Sequence, residues 1–143
     1  FKPLAHRNEK VDVIDGVTFV NDSKATNVDA TSYALKIHKN VHLILGGQAK
    51  ENNFDQLKFN IENVSRIYLI GEAAPLIAKS FVDHKIEQCD TLNKAFDRAI
   101  TNAKEGDTIL FSPACASFDQ YFNFEERGKH FISLVKEYRK NII

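Results

Sequence analysis

Val17-Thr18-Phe19-Val20-Asn21-Asp22-Ser23-Lys24-Ala25-Thr26-Asn27 is the stretch that decides how this chain is read. Its first four residues are β-branched or aromatic, the composition of a strand. A helical run follows from Val28 to about His38. Between the two, Asn21–Asn27 places an acid, a lysine and several neutral polar groups where a strand hands over to a helix. Helix N-termini carry unpaired N–H groups and a partial positive charge, so such a corner suits an anion. In open α/β sheets, ligands sit beyond the carboxyl ends of the strands, where this loop lies. Asn, Asp, Ser and Thr are also the favoured N-cap residues, so the stretch alone equally describes a polar turn that starts a helix.

Upstream, Val11–Ile14 and Val17–Val20 flank Asp15-Gly16. Asp-Gly between two β-rich runs predicts a hairpin, because a type I′ turn needs positive φ at both central positions. Downstream, the helix offers Ala30, Ala34, Leu35 and Ile37 for an inner face and stops at Asn40. Val41–Leu45 then reads as a buried strand running into Gly46-Gly47, its unbroken apolarity suited to the interior of a parallel sheet. A short helix is expected around Asp55 to Asn60, a strand at Arg66–Gly71, and a helix from Ala73 to Val82 with Pro75 in its first turn. Lys85–Cys89 reads as a short edge strand, Leu92–Ala103 as a helix with Leu92, Ala95, Phe96, Ala99 and Ile100 on one stripe. Gly106-Asp107 turns into the strand Thr108–Phe111. The loop Ser112–Ser117 follows, then a final helix from Asn123, where Asn123 and Glu126 form a capping-box-like pair. Its stripe is Phe131, Leu134, Val135 and Tyr138. Alternating strands and helices give an α/β fold, Rossmann-like in the broad sense, with a mostly parallel sheet flanked by helices and an N-terminal β-hairpin.

The 143 residues fit a single domain with its own core. Lys plus Arg and Asp plus Glu balance at 19 each, which offers no basic field for nucleic acid. No apolar run is long enough to span a bilayer, and no signal-peptide pattern opens the chain. The start, Phe1 in place of Met followed by the polar loop Lys2–Arg7, reads as a piece of something longer. Cys89 and Cys115 have neither metal-ligand nor CxxC spacing and read as reduced, buried thiols of a cytosolic protein.

Three strand exits carry chemistry: Asp22–Asn27, Gly46–Lys50 and Ser112–Ser117. In a parallel sheet they share one edge, so their side chains converge on one crevice. The exit at Gly71–Ala74 is plain by comparison. Gly46-Gly47-Gln48-Ala49-Lys50 allows close backbone approach and delivers an ammonium, yet lacks the P-loop pattern. Ser117 is presented at an expected helix start, without the GxSxG elbow of a hydrolase nucleophile, and Cys115 reads as a packed residue of a tight loop. The five histidines form no metal motif, since His38 and His42 straddle the break at Asn40. Phe118, Phe122, Phe124 and Phe131 are expected mainly in core or lid packing.

Taken together, Asn21–Asn27, Gly46-Gly47 with Lys50, Ser112–Gln120 and Asn123-Phe124-Glu125-Glu126-Arg127-Gly128 resemble the C-terminal domain of the D-glutamate-adding ligases of the Mur family. His6-Arg7 is similar to that domain's opening motif, and the resemblance covers essentially the whole chain. Other Mur ligases and folylpolyglutamate synthases share the fold and an aspartate like Asp22, but not the Ser-Lys-Ala-Thr-Asn or Ser-Pro-Ala-Cys-Ala-Ser segments. The resemblance implies a three-domain, ATP- and Mg2+-dependent cytoplasmic ligase of peptidoglycan synthesis, and through that of cell-wall biogenesis, cell shape and division. The UDP-sugar domain and the central domain, with its P-loop, magnesium ligands and carbamylated lysine, lie outside this chain. ATP would phosphorylate the carboxylate of UDP-N-acetylmuramoyl-L-alanine, and the amine of D-glutamate would attack the acyl phosphate. The isolated chain would be inactive.

The same resemblance implies roles by residue. Lys50 would pair with a carboxylate of D-glutamate, a charge-assisted contact. Thr26 and Ser117 would donate to its carboxylates, with the backbone near Phe118 and Phe124 shaping the pocket. Arg7 and Asp22 would face the nucleotide, Asp22 accepting from ribose hydroxyls. Lys24 would offset negative charge near the reacting group. A metal site within this domain, a nucleic-acid partner and a membrane are not expected, and the resemblance favours a monomer. Two rivals stand beside this reading: a ligase domain for a different amino acid, and a binding module that keeps the fold without catalysis.

Overall fold

The Asp15-Gly16 turn closes as its residues predict, with positive φ at both positions (52° and 80°). Strands β1 (Glu9–Ile14) and β2 (Val17–Asn21) run antiparallel from it. The computed structural model describes residues 4–142, so the Lys2-Pro3 part of the opening loop lies outside the described residues. From β2 the chain alternates: α1 (Val28–Ile37), β3 (Val41–Gly46), a 3₁₀ stretch (Asp55–Asn63), β4 (Val64–Ile70), α2 (Ala74–Ser80), β5 (Ile86–Asp90), α3 (Leu92–Asn102), β6 (Thr108–Phe111) and α4 (Phe124–Asn141).

The strands form one six-stranded sheet in the order β1-β2-β6-β3-β4-β5, parallel everywhere except at the hairpin. The last strand in sequence, β6, is inserted between β2 and β3, so the direction of winding reverses there. Such a reversal opens a crevice at the carboxyl ends of the strands. It sets the exits of β2, β6 and β3 side by side.

Side chains alternate across a strand, and here both sets meet a helical layer. Leu43, Leu45, Ile67, Leu69 and Leu110 pack with Leu35 of α1, Leu57, and Ile77 and Phe81 at α2. Phe19, Ile44, Tyr68, Ile109 and Phe111 pack on the opposite face with Phe96 of α3 and Phe131 and Val135 of α4. Every residue of β3 is consequently buried.

Five expectations need correction. The inner face of α1 keeps the expected Ala34 and Leu35 but is completed by Val28, Thr31 and Ser32, while Ala30 is half-buried and Ile37 exposed. At 3.6 residues per turn, Ala30 and Ile37 lie on the far side from that stripe. The short helix is 3₁₀ and breaks at the expected Asn60 (φ −123°, ψ 24°) before a further turn to Asn63; with only Leu57 buried, it has too little apolar surface to hold a regular α-helix. Of the phenylalanine cluster, only Phe131 is in the core; Phe118 and Phe122 are 65% and 86% exposed, because their loop is held by polar contacts. Ser117 opens a single turn, its carbonyl accepting from the Gln120 and Tyr121 N–H groups, and the helix starts at Phe124. Asn123 caps it by accepting from the Glu126 N–H at 2.8 Å, whereas the Glu126 carboxylate lies 3.7 Å from Lys129. Only half of the capping box is thus formed.

Candidate functional site

The three polar exits are tied together by backbone hydrogen bonds. Asp22 N donates to Phe111 O at 2.8 Å and Gly46 N to Pro113 O at 3.0 Å, which joins the β2 and β3 exits to β6. Gln48 and Ala116 exchange both bonds of a small antiparallel bridge (2.8 and 2.9 Å). Val28 N donates to the Glu51 carboxylate at 3.2 Å, fastening the loop that bears Lys50 to the start of α1. Close approach is what the glycines permit: a Cβ on Gly46 (φ 133°) would sit 2.0 Å from Ile70 O.

Asp22 is almost wholly buried (3% exposed) beneath this junction. Ser112 Oγ donates to one carboxylate oxygen at 2.7 Å and Asn8 N to the other at 3.0 Å. Thr31, from α1, donates to the Ser112 carbonyl at 3.1 Å. Burial raises the Asp22 carboxyl above its usual range, against the lowering effect of these donors and of the Arg7 charge. A carboxylate oxygen can accept more than one hydrogen bond, so each retains capacity for a further donor.

His6 holds the opening loop over the β2 exit. Its Nδ1 accepts from the Asn21 amide at 2.8 Å, and its carbonyl accepts from Lys24 N at 2.8 Å. The Asn21 amide also donates to Glu9, whose carboxylate accepts the His6 N–H at 3.0 Å. The loop therefore sets Arg7 beside Asp22. Arg7, Asn8, Asp22, Lys24, Ala25, Ala30 and Tyr33 line one pocket of about 170 Å3. Arg7 and Lys24 are exposed there, and the Lys24 ammonium lies 5.0 Å from the centre of the Phe124 ring, a cation–π contact.

Beneath Phe124 sits Arg127, 1% exposed. Its guanidinium donates to Ser23 Oγ (2.9 Å), Ser23 O (2.7 Å) and Cys115 O (3.0 Å). Ser23 Oγ in turn donates to Phe124 O at 2.8 Å. One side chain of α4 thus fastens the β2 exit, the β6 exit and its own helix start. Burial pulls Arg127 down to about 10, so it stays charged at neutral pH. Burial pushes the neighbouring Cys115 thiol up to about 12, which leaves it protonated and unreactive.

Of the side chains singled out in the sequence, Arg7, Asp22 and Lys24 share the pocket, with Phe124 against Lys24. Thr26 is half-buried and Lys50 exposed, on the two loops that Glu51 joins. Ser117 is buried next to Ala116 of the bridge, and Phe118 is exposed beyond it. The sequence alone assigned no role to the supporting residues Asn21, Ser112, Thr31, Asp119 and Arg127, although all but Thr31 lie within the stretches quoted from it. For Arg127 a signal existed, since it continues the Phe131, Val135 and Tyr138 stripe back by one turn and so places a charge on an apolar face. The plain β4 exit is occupied as well: Asp119 accepts the Glu72 N–H there at 3.0 Å. Among the described residues no group of three or more His, Cys, Asp or Glu side chains is placed to hold a metal ion, and no helix is long and apolar enough to cross a membrane.

Residues 6–115 match the family described as Mur ligase, glutamate ligase domain. The chain belongs to this family. The UDP-N-acetylmuramoylalanine–D-glutamate ligase of Dinoroseobacter shibae is 46% identical over 138 residues, which cover 96% of this chain and 30% of that protein. The chain spans about 30% of the length of the curated relatives it matches. Among solved structures, the UDP-N-acetylmuramate-alanine ligase of Thermotoga maritima shares the fold with a TM-score of 0.65 at 11% identity, over 96% of this chain and 31% of that one. A bifunctional folylpolyglutamate synthase/dihydrofolate synthase from Yersinia pestis gives 0.64 at 17% identity, over 92% and 31%. The glutamate ligase domain fold is therefore common to ligases with different substrates.

Proposed function

We propose that this chain is the C-terminal, amino-acid-binding domain of a three-domain ATP-dependent ligase that joins D-glutamate to UDP-N-acetylmuramoyl-L-alanine in cytoplasmic peptidoglycan synthesis. The observation that carries the reading is the junction of the β2, β6 and β3 exits, which gathers Thr26, Lys50 and Ser117 on interlocked loops. The fold alone does not choose the substrate. The choice rests on the identity to D-glutamate ligases and on the side chains at the junction.

In this reading the two carboxylates of D-glutamate need separate receptors. The Lys50 ammonium takes one by a charge-assisted contact, and the Thr26 and Ser117 hydroxyls donate to them. The amine is left free and aimed at the acyl phosphate, so the domain contributes mainly by positioning and by closing over the reacting groups. Arg7 and Asp22 face the nucleotide in the neighbouring pocket, Arg7 toward phosphate and Asp22 toward ribose hydroxyls. Lys24, which shares that pocket, offsets the charge that develops in transfer. ATP supplies the activated carboxylate, with Mg2+ held by the central domain. The enzyme acts as a monomer.

Kinetics of the full-length protein test this. Lys50→Ala should raise the KM for D-glutamate about 10- to 100-fold, the worth of one charge-assisted hydrogen bond. Asp22→Ala should weaken ATP use more than D-glutamate use. An unchanged D-glutamate KM in Lys50→Ala removes Lys50 from the site, and turnover with another amino acid in place of D-glutamate supports the rival ligase reading.

A further inference from the structure

The loop Ser112–Tyr121 crosses over the sheet like a strap, and its fastening is asymmetric. At one end it is held by the β6 exit and the Gln48–Ala116 bridge. After Ser117 it reaches past β3 to the exits of β4 and β5. There the Asp119 carboxylate accepts the Glu72 N–H at 3.0 Å, and the Gln120 amide donates to Asp90 O at 2.8 Å. Gly71 (φ 73°) leaves the slot into which the carboxylate fits: a Cβ at that position would lie 2.4 Å from Asp119 Oδ2 and 2.7 Å from Gly47 Cα. The strap, the β4 exit and the Gly46-Gly47 corner are thus packed without space for a single methyl group. Ala73 N donates to Gly47 O at 2.9 Å, which completes the lock between β4 and the loop leading to Lys50.

Ser117 lies between the two fastenings. Its own side chain has a short reach, so where its hydroxyl sits depends on where the strap is pinned on either side. The Ala116 side is pinned by two backbone bonds that no side-chain substitution removes. On the other side the Gln120 and Tyr121 N–H groups close a turn on the Ser117 carbonyl, and the Asp119 and Gln120 side chains fasten that turn to the β4 and β5 exits, Asp119 being the nearer to Ser117.

We propose that Asp119 is a positioning residue for the amino-acid subsite: by accepting the Glu72 N–H it fixes the Ser117 hydroxyl relative to Lys50, and so sets the affinity for the incoming dicarboxylic amino acid. This rests on the reading of Ser117 and Lys50 given above. Asp119 touches no reacting atom, and its effect passes through Ser117.

The test is the kinetics of the full-length ligase, first with the unaltered protein. Failure to turn over with D-glutamate would sink the functional reading itself, independently of Asp119. With that activity in hand, Asp119→Ala should raise the D-glutamate KM about tenfold with kcat changed less than about twofold, since weakening one hydrogen bond to a charged substrate group costs about that much binding. Asp119→Asn keeps an acceptor oxygen and should restore the KM to within about threefold of the wild type. Glu72→Pro removes the same hydrogen bond from the donor side. Its ring Cδ would stand where the amide hydrogen now points at Asp119 and would push the carboxylate out of its slot, so this variant should raise the D-glutamate KM at least as much as Asp119→Ala. In a Ser117→Ala background, Asp119→Ala should add less than about twofold, because residues that act through one another are not additive. An unchanged KM in both Asp119→Ala and Glu72→Pro would overturn the proposal. So would a fall in kcat alone, or a KM effect of the same size with and without Ser117.

Discussion

Arg127 is buried with its three hydrogen bonds directed to neutral oxygens, two carbonyls and a hydroxyl, in place of a carboxylate. Taking a guanidinium out of water is costly, as its lowered pKa shows. The compensation is geometric: a planar fork with five donors can bind several acceptors at once, whereas a lysine ammonium offers only one compact donor group. Arg127→Met keeps much of the volume but leaves Ser23 O and Cys115 O without their donor. The lost bonds outweigh the relief of desolvation, so a destabilisation of about 2–4 kcal/mol is expected in urea denaturation. A change below about 0.5 kcal/mol would mean that the two carbonyls find other partners. At the same scale, Asp22 shows why a residue can be recognised while its surroundings are not. Its place in a strand-to-helix loop was legible, but its donors, Asn8 and Ser112, lie 14 and 90 residues away in sequence.

Helix α4 is seated on the rest of the fold by a glycine. Gly128 lies in its second turn against His6, and a Cβ there would come within 2.1 Å of the imidazole. In an exposed helix, Gly→Ala would add up to about 1 kcal/mol. Here the sign reverses, because the added methyl group pushes His6 away from Asn21 and loosens the opening loop that carries Arg7. Gly128→Ala should destabilise by about 1–3 kcal/mol, the usual cost of overpacking, measured as a lower urea midpoint at unchanged slope. A raised midpoint would mean that the His6 seat is soft. The elements themselves were largely legible. The hairpin followed from Asp15-Gly16, and the stripe of α3 followed from the spacing of Leu92, Ala95, Phe96 and Ala99. The inner face of α1 was misplaced because Thr31, polar by type, is buried through its bond to Ser112.

At the scale of the whole molecule, insertion of β6 between β2 and β3 has two effects. It brings the three polar exits together, and it gives β6 and β3 neighbours on both sides within a sheet covered on both faces. Opening such central strands requires disruption of both helical layers, while an edge strand can fray alone. Amide hydrogen exchange should therefore be slowest for Leu43 and Leu110 and fastest among the strands for β1 and β5. Faster exchange in β6 than in β5 would contradict a single cooperative core.

The sequence by itself determined the alternation of elements, the hairpin, the Asn123 cap of α4, and the three strand exits that carry the polar side chains. Each of these is local, written in turn chemistry, periodicity or cap residues within a few positions of one another. The tertiary structure alone decided the strand order, the pairing of His6 with Asn21 and Gly128, the fork of Arg127 and the clasp of Asp119 on Glu72. These join residues far apart in the chain, and which of them meet is fixed only when both faces of the sheet are buried at once.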